Sequence, residues 1–468
     1  MADSASEQPP APPLPRAFLD FLEENGLDPS IYSKGDTIPR YIRLKPGCEI
    51  WVPGIEAELG CELKRVDWLP GFYAVPPQIK IASSESYKSG KIYGMDAASG
   101  AAVLALGVSE GDHVLDLCTA PGAKLCMLSD LLGSSGSLTG VDISRDRLAA
   151  CRTMLQKYEL GDRCRLFIAD GTLFSLLPLR SPVNEKSYVT NEADVANIFG
   201  EWTSKRSYKD RKAAVKLRNS IGSQLSLTTS EPELFFYGKS SGVVGLRRSE
   251  LFCAANNAEA SSFGYDRVLV DAECTHDGSV KHIQKFEYWG WKTLEHRVLD
   301  AKRTNSLMHV QLQLLTNGFG LLKAGGTLVY STCSLTFAQN EDVIEQFLME
   351  NPSAELQAVD ASKNWPCRSG KIPNTLRFDP NTSETSGLFV AKFTKYLTLV
   401  HTLGGLNVIY NVFDPGASAM TFLIRNPQSM WSMTWFLPRM KKRQVTVGHE
   451  VLFQSADNQC IIHLWIGI

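Results

Sequence analysis

Two cysteines follow apolar runs that have the composition of buried strands. Cys333 stands in "YSTCSL" after "GGTLVY", and Cys274 stands in "VDAECTHDG" after "YDRVLV". A lone cysteine at the end of a strand is most often a small apolar filler. Each of these two has polar neighbours instead, as a working site has. A thiolate is strongly nucleophilic near neutral pH, so we predict that the pair forms a reactive centre.

Three carboxylates lie at the ends of successive predicted strands, at Asp116, Asp142 and Asp170. In doubly wound folds, a carboxylate at the end of the second strand takes ribose hydroxyls. The small residues of "DLCTAPGAK" (116–124) let the backbone approach a ligand, and the following helix would offer free N–H groups. The spacing does not match GxGxxG, which favours a single nucleoside over a dinucleotide. Each acid taken alone could simply cap a turn.

Strands and helices alternate through the middle of the chain, which predicts an α/β fold. The alternation indicates a doubly wound, mostly parallel sheet with helices on both faces, and its ligands should bind at the carboxyl ends of the strands. The predicted strands are 113–118, 136–144, 164–170, 265–274, 326–333 and 384–393, and the clearest helices are 123–133 and 145–160.

The remaining sequence divides into segments around this core. We predict a disordered or partly helical start (1–35), a small module (36–85), the α/β domain (86–395) containing a long insert (172–263), and an apolar tail (396–468) outside the catalytic domain. The module has short predicted strands at 40–44 and 71–75. The basic stretch 204–218 of the insert either touches nucleic-acid phosphates or forms a solvated, flexible face.

Composition narrows the class of protein. The 468 residues carry a net charge of −2, so any nucleic-acid surface must be a local patch. The eleven cysteines include no CxxC pair, which argues against a zinc ribbon, and we predict no metal site. We predict a cytoplasmic or nuclear protein without membrane contact. The cysteines are scattered, the start is acidic and rich in proline, and no run of ~18 apolar residues is present. We expect a monomer.

Several segments together resemble the Sun/Fmu family of S-adenosylmethionine-dependent RNA (cytosine-5)-methyltransferases, over roughly residues 36–395. The matching segments are "IPRYIRLKPG", "GKIYGMDAASGAAVLALGV", "DLCTAPGAK", "VDISRDRL", "DAEC", "YSTCSLTFAQNEDVIEQFL" and "SGLFVAKF". The resemblance implies a Rossmann-like class I methyltransferase domain, an RRM-like α+β module before it, and a single-stranded or loop cytosine of tRNA or rRNA as the target.

The resemblance also implies roles for individual residues. Cys333 would be the nucleophile, Cys274 would help to release the product, and Asp271 would bind the target base. S-adenosyl-L-methionine would be the cofactor, held by Cys118, Thr119, Ala120, Pro121, Gly122, Ala123, Lys124, Asp142, Asp170 and Asp271.

Three positions depart from the family pattern, which has proline at Glu273, glutamine at Met95 and glycine at Ala123. A carboxylate at Glu273 is expected to raise the pKa of the neighbouring Cys274 thiol. This expectation favours Cys333 as the nucleophile and leaves Cys274 as an acid–base helper.

Chemistry explains why a cysteine is needed. C5 of cytosine becomes nucleophilic enough to accept a methyl group once a thiolate has added to C6, and the base must leave its stack for this to occur. Loops of RNA offer such bases at low cost. An inactive RNA-binding relative, or a methyltransferase acting on another substrate, are the alternatives. A scaffold protein fits least well with three acids and two thiols at strand ends.

Overall fold

The computed structural model describes residues 14–35, 37–179, 231–244, 246, 248–252, 257–403, 406–412, 419–426, 429–436, 447–454 and 459–466. The chain forms two compact units, Met1–Tyr396 and Leu397–Ile468. The predicted basic stretch 204–218 lies outside the described residues.

The first unit combines two sheets. Its strands are β1 (Arg40–Leu44), β2 (Lys64–Arg65), β3 (Phe72–Val75), β4 (Ile92–Gly94), β5 (His113–Asp116), β6 (Ser137–Asp142), β7 (Cys164–Ile168), β8 (Glu233–Tyr237), β9 (Tyr265–Asp271), β10 (Leu322–Thr332), β11 (Ala354–Gln357), β12 (Cys367–Ser369), β13 (Leu376–Phe378) and β14 (Leu388–Lys395).

Helices connect these strands. They are α1 (Arg16–Glu24), α2 (Val52–Leu59), α3 (Glu85–Lys88), α4 (Ala97–Leu106), α5 (Ala123–Leu132), α6 (Arg145–Lys157), α7 (Arg248–Leu251), α8 (Asn257–Phe263), α9 (Val280–Gln284), α10 (Phe286–Trp289), α11 (Trp291–Leu294), α12 (Ala301–Leu321), α13 (Glu341–Glu350) and α14 (Pro380–Ser383). Short 3₁₀ turns occupy Pro29–Lys34, Glu49–Trp51, Ile81–Ser83 and Asp360–Asn364, and a π-helical turn occupies Glu295–Leu299.

The larger sheet has the order β12-β13-β14-β10-β9-β5-β6-β7-β8, with β11 paired to β14. Its five central strands, β10, β9, β5, β6 and β7, are parallel. Strands β14 and β8 are antiparallel to their neighbours. The sequence order reverses between β5 and β9, which is the switch point where ligands bind in such sheets. The predicted α/β class and Rossmann-like arrangement are confirmed.

The central strands read as nearly continuous apolar runs because both of their faces are covered. One core cluster, which includes Leu125 and Leu148 of α5 and α6, covers one face. A second cluster, which includes Leu315 and Phe319 of α12, covers the other. Ser144 caps α6 by accepting a hydrogen bond from the Arg147 N–H at 3.4 Å. These helices hold the carboxyl ends of the strands at fixed positions.

The smaller sheet has the order β2-β3-β1-β4 and is antiparallel. Its fourth strand, β4, lies beyond residue 85, so this module extends further along the chain than the predicted 36–85. Its own core includes Ile42, Ile55 and Ile92, which are buried together.

The start of the chain packs against a distant segment. Phe18 and Leu22 of α1 are fully buried in a cluster with Val280, Ile283 and other residues of the segment 280–299. The Tyr32 hydroxyl donates a hydrogen bond to the Asp277 carbonyl at 2.7 Å. The N-terminal segment therefore supports the chain that follows Cys274.

The second unit consists of strands in its described part. β15 (Leu397–Leu403), β16 (Leu406–Val412), β17 (Ala419–Asn426) and β18 (Ser429–Phe436) form an antiparallel sheet, and β19 (Val447–Gln454) pairs with β20 (Gln459–Ile466). Among the described residues, no helix has both the length and the apolar character needed to cross a membrane.

Candidate active site

The loop between β5 and α5 is held against the end of β6. The Thr119 N–H donates to the Val141 carbonyl at 3.0 Å, and the Ala120 N–H donates to Asp142 Oδ2 at 3.3 Å. Gly122 has φ = +111°, and a Cβ at this position would lie 3.0 Å from Cys151 Cα. Glycine is therefore required for the loop to turn into α5. The helix itself starts at Ala123, as the predicted range 123–133 has it.

Two buried oxygens at this loop lack a protein partner. Within the described residues, Asp116 Oδ2 and Thr119 Oγ1 are buried and accept no hydrogen bond. Burial and the nearby charge of Asp271 raise the pKa of Asp116 to about 7. Buried polar atoms normally have partners, so these two are the atoms that a bound polar ligand would satisfy.

The other predicted cofactor acids differ in their surroundings. Asp142 is buried at the end of β6, where Oδ1 accepts a hydrogen bond from the Ser144 N–H at 2.9 Å. Asp170 accepts hydrogen bonds from the Thr172 N–H at 2.9 Å and the Thr172 hydroxyl at 2.7 Å, as a turn-capping acid does. Ile143, which follows Asp142, is 68% exposed and offers an apolar surface beside it.

Lys124 joins the cofactor loop to the reactive centre. Its Nζ lies 2.7 Å from Asp271 Oδ2, and the Ser331 hydroxyl donates to Asp271 Oδ1 at 2.7 Å. Asp271 ends β9 and is paired in register with Ser331 of β10. The ion pair therefore fixes the carboxylate between the β5 loop and the two cysteine-bearing strand ends.

The two cysteines meet directly. Cys274 Sγ and Cys333 Sγ are 3.3 Å apart. His276 Nδ1 lies 2.8 Å from Cys333 Sγ and 3.7 Å from Cys274 Sγ. Cys274 is 1% exposed, whereas Cys333 is partly exposed. The imidazole is thus within reach of both thiol protons.

The three groups influence one another's protonation. Burial raises the pKa of Cys274, but the hydrogen bond with Cys333 and the charge of His276 outweigh it and lower that pKa to about 6. The hydrogen bond with Cys274, burial and the Cys274 charge raise the pKa of Cys333 well above its ordinary value. One thiolate is therefore stabilised near neutral pH, and it disfavours a second one beside it.

The expected effect of Glu273 on Cys274 is wrong. The Glu273 carboxylate is 55% exposed and pairs with Arg303 at 3.1 Å. The pKa of Cys274 is lowered, not raised, because His276 and Cys333 dominate its surroundings. Met95, the second departure, is a buried core residue.

A buried polar network holds both cysteine loops. Asn340 Oδ1 accepts from the Thr332 hydroxyl at 2.6 Å, and its Nδ2 donates to the Ser334 carbonyl at 2.9 Å, so it binds both neighbours of Cys333. Gln339 Oε1 accepts from the Thr275 N–H, next to Cys274, at 3.1 Å. These amides sit at the start of α13 and fix the thiols relative to each other.

Sequence reasoning missed three residues of this site: His276, Gln339 and Asn340. His276 lies two positions after Cys274, and its polar type within "CTHDG" was the available signal. The amides stand in "TFAQNEDVIEQFL", where polar residues precede an amphipathic helix. Their burial, which marks them as part of the site, depends on tertiary packing.

The site could accept two kinds of ligand. The loop 118–124 with Asp142 forms a cradle of backbone groups and acids at the sheet's switch point. Among the described residues, the metal-ligand atoms of Cys274, His276 and Cys333 lie within 4.8 Å of one another, close enough to share one ion.

Comparison with known proteins agrees with this geometry. The family model "16S rRNA methyltransferase RsmB/F" matches residues 103–179 and 245–394. The chain is 22% identical over 352 residues to the rRNA (cytosine-C(5))-methyltransferase NOP2C of Arabidopsis thaliana, covering 67% of this chain and 55% of the relative. It is 24% identical over 317 residues to the probable ribosomal RNA small subunit methyltransferase B of Bacillus subtilis, covering 67% and 50%.

The chain therefore spans about half the length of these curated relatives. Among solved structures, NSun6 from Pyrococcus horikoshii with SFG has a TM-score of 0.54 at 14% identity, covering 82% of this chain and 98% of that one. A methyltransferase homologue of the same organism has a TM-score of 0.50 at 21% identity, covering 82% and 100%. These likenesses show the fold. The family match, the relatives and the motifs at β5, β9 and β10 together show that this chain belongs to the RsmB/F family of methyltransferases.

Proposed function

We propose that this protein transfers a methyl group from S-adenosyl-L-methionine to C5 of a cytosine in RNA, through a covalent bond between Cys333 and C6. The observation that carries the proposal is the meeting of two thiols at neighbouring strand ends, 3.3 Å apart, beside a carboxylate tied to the cofactor loop. The relatives named above act on cytosine of rRNA or on ribosomal RNA, which supports RNA as the substrate.

The cofactor loop fits the proposed cofactor. The unpartnered oxygens of Asp116 and Thr119 suit an ammonium or hydroxyl donor, and Asp142 stands where ribose hydroxyls bind. Exposed Ile143 can pack against an aromatic base. When bound, the cofactor supplies an electrophilic methyl group on a sulfonium. SFG, present in the NSun6 structure, is an analogue of this cofactor.

Residues around the cysteines account for the acid–base steps. The Cys333 proton passes to His276 or to the Cys274 thiolate, both within hydrogen-bond reach. The Cys333 sulfur then bonds to C6, and the C5–C6 π electrons become available at C5. Asp271 hydrogen-bonds the base edge and stabilises the adduct. After methylation, C5 loses its proton to a nearby base, the double bond re-forms and the Cys333–C6 bond breaks.

The lowered pKa of Cys274 favours a second assignment, in which Cys274 attacks and Cys333 assists. We favour Cys333 because it is partly exposed, whereas Cys274 is 1% exposed, and a substrate base has to reach the attacking sulfur. The release step then falls to Cys274, whose sulfur lies 3.3 Å from that of Cys333.

Trapping experiments separate these roles. With RNA and cofactor, Cys274→Ala should accumulate a denaturation-resistant protein–RNA complex, whereas Cys333→Ala and the double variant should form none and should not methylate. Cys367→Ala, a half-buried cysteine on β12, serves as the control and should turn over normally. A complex in Cys333→Ala instead would reverse the roles, and full activity in both variants would refute the covalent mechanism.

A further inference from the structure

We propose that Cys274, His276 and Cys333 form a binding site for a thiophilic divalent cation, with Zn²⁺ as the natural candidate. This inference concerns metal binding by the protein alone and does not depend on methyl transfer. It begins from the fact that two sulfurs and one imidazole nitrogen lie within 4.8 Å of one another among the described residues.

The distances fit a tetrahedral ion after small movements. Bonds of ~2.3 Å to sulfur and ~2.0 Å to nitrogen give ligand separations of about 3.8 Å between sulfurs and about 3.5 Å between sulfur and nitrogen. The observed separations are 3.3 Å between the sulfurs, and 2.8 and 3.7 Å from the nitrogen to Cys333 and Cys274. Side-chain shifts of less than 1 Å would therefore admit the ion.

The ligand types select the cation. Two thiolates and one imidazole are soft donors, which favour Zn²⁺ over Mg²⁺ or Ca²⁺. Asp271 and Asp277 both act on Cys333 electrostatically, and their negative charge also favours a cation. Lys124 is the opposing cation, but its charge is paired with Asp271 at 2.7 Å.

The site has three protein ligands and an accessible side. Cys274 is buried, whereas Cys333 is partly exposed, so a fourth position at the ion would face the cleft and take water. Three protein ligands with an open position are the pattern of accessible zinc sites, not of closed structural ones. The bound ion would displace the shared thiol protons to solvent.

Binding of the ion would control the reactivity of the two thiols. A sulfur bound to the ion shares a lone pair with the metal and is held in place by it, so we expect an occupied site to make Cys333 a weaker nucleophile toward C6 than the free thiolate. Metal and RNA base then compete for Cys333, and a chelator restores the free thiol.

The test uses Co²⁺ as a spectroscopic probe for Zn²⁺, with the full chain, reduced and free of metal, and with neither RNA nor cofactor present. We expect one Co²⁺ per chain, a thiolate-to-cobalt charge-transfer band, visible bands of tetrahedral intensity, and displacement by Zn²⁺. His276→Gly should weaken binding at least tenfold. Glycine is the right replacement because His276 has φ = +59°, which glycine adopts without strain.

Single variants Cys274→Ala and Cys333→Ala should each lose the charge-transfer band, while Cys367→Ala should keep it. Thermal unfolding of each variant identifies any that fail to fold. If a cysteine variant fails to fold, the comparison between the wild-type protein and His276→Gly decides the question. Absence of the band in the wild-type protein, or a band and affinity unchanged in His276→Gly, would overturn the proposal. Because no methylation is measured, failure of the proposed function would leave this result unaffected.

Discussion

Replacement of Asn340 by alanine tests whether the buried amide network holds the Cys333 loop. Asn340 is fully buried and makes three hydrogen bonds, at 2.6 Å with the Thr332 hydroxyl and at 2.9 and 2.8 Å with the Ser334 and Thr336 carbonyls. Each buried group left without a partner costs about 1 kcal/mol or more. We therefore expect Asn340→Ala to lower the free energy of unfolding by about 3 kcal/mol.

Asn340→Ala should affect the rate of methylation more strongly than the free energy of unfolding. Cys333 lies between two of the residues that Asn340 holds, and a displacement of ~1 Å in a reacting group can cost about 100-fold in rate. Urea unfolding followed by tryptophan fluorescence measures the first effect, and transfer of a labelled methyl group to unmodified RNA measures the second.

Asn351→Ala, at the other end of α13, is the matched control. Its amide makes a single hydrogen bond, to the Phe347 carbonyl at 2.9 Å, and is only partly buried. The expected loss is about 1 kcal/mol with normal methylation. If both variants lost the same free energy, or if Asn340→Ala methylated normally, the network would not have the positioning role assigned to it.

Three further predictions concern charge and domain structure. Because the folded-state pKa of Asp116 is raised to about 7, the native state binds more protons than the unfolded state between about pH 4 and 7, and stability should fall as pH rises through this range. Asp116→Asn should reduce the fall of the unfolding free energy with pH, as measured by urea unfolding at several pH values. The same fall in the variant and in the wild-type protein would contradict the prediction. Glu341→Gln should cost about 3 kcal/mol or more, because it leaves the buried Arg377 guanidinium uncompensated, and a loss below 1 kcal/mol in the same assay would contradict this. Removal of residues 397–468 should leave methylation intact, and loss of folding measured by circular dichroism would show that the tail belongs to the core.

The strands of the central sheet could be predicted from the sequence, because fully buried parallel strands consist of long apolar runs that differ from the neighbouring sequence. Strand β8 was missed, since it pairs antiparallel with β7 at the sheet edge and comes from within the long insert, outside the alternation of parallel strands and helices. The N-terminal helix α1 also gave little signal, because part of the cluster that buries Phe18, including Val280 and Ile283, lies more than 250 positions later.

The candidate site, like the fold, could be predicted from the sequence only in part. Cys274, Cys333, Asp142 and Asp271 could be found because each ends a strand or follows its end within three residues, and topology brings strand ends together. The role of His276 could not, because it depends on the distance between an imidazole and a thiol 57 residues apart in sequence. The Glu273 prediction failed for a related reason: adjacency along the chain does not determine where a side chain points.

The contact between the first helix and the chain after Cys274 has a consequence for biosynthesis. Tyr32 binds a carbonyl 245 residues further along the chain. At ribosomal speeds of ~5–20 residues per second, the partner of the first helix emerges about 12–50 s after it. During that interval Phe18 and Leu22 have only the nearby Ile31, Tyr32 and Ile38 of their cluster to pack against, because the segment 280–299 has not yet emerged. This apolar stretch is thus one on which a chaperone that binds apolar segments would act until the segment 280–299 has emerged.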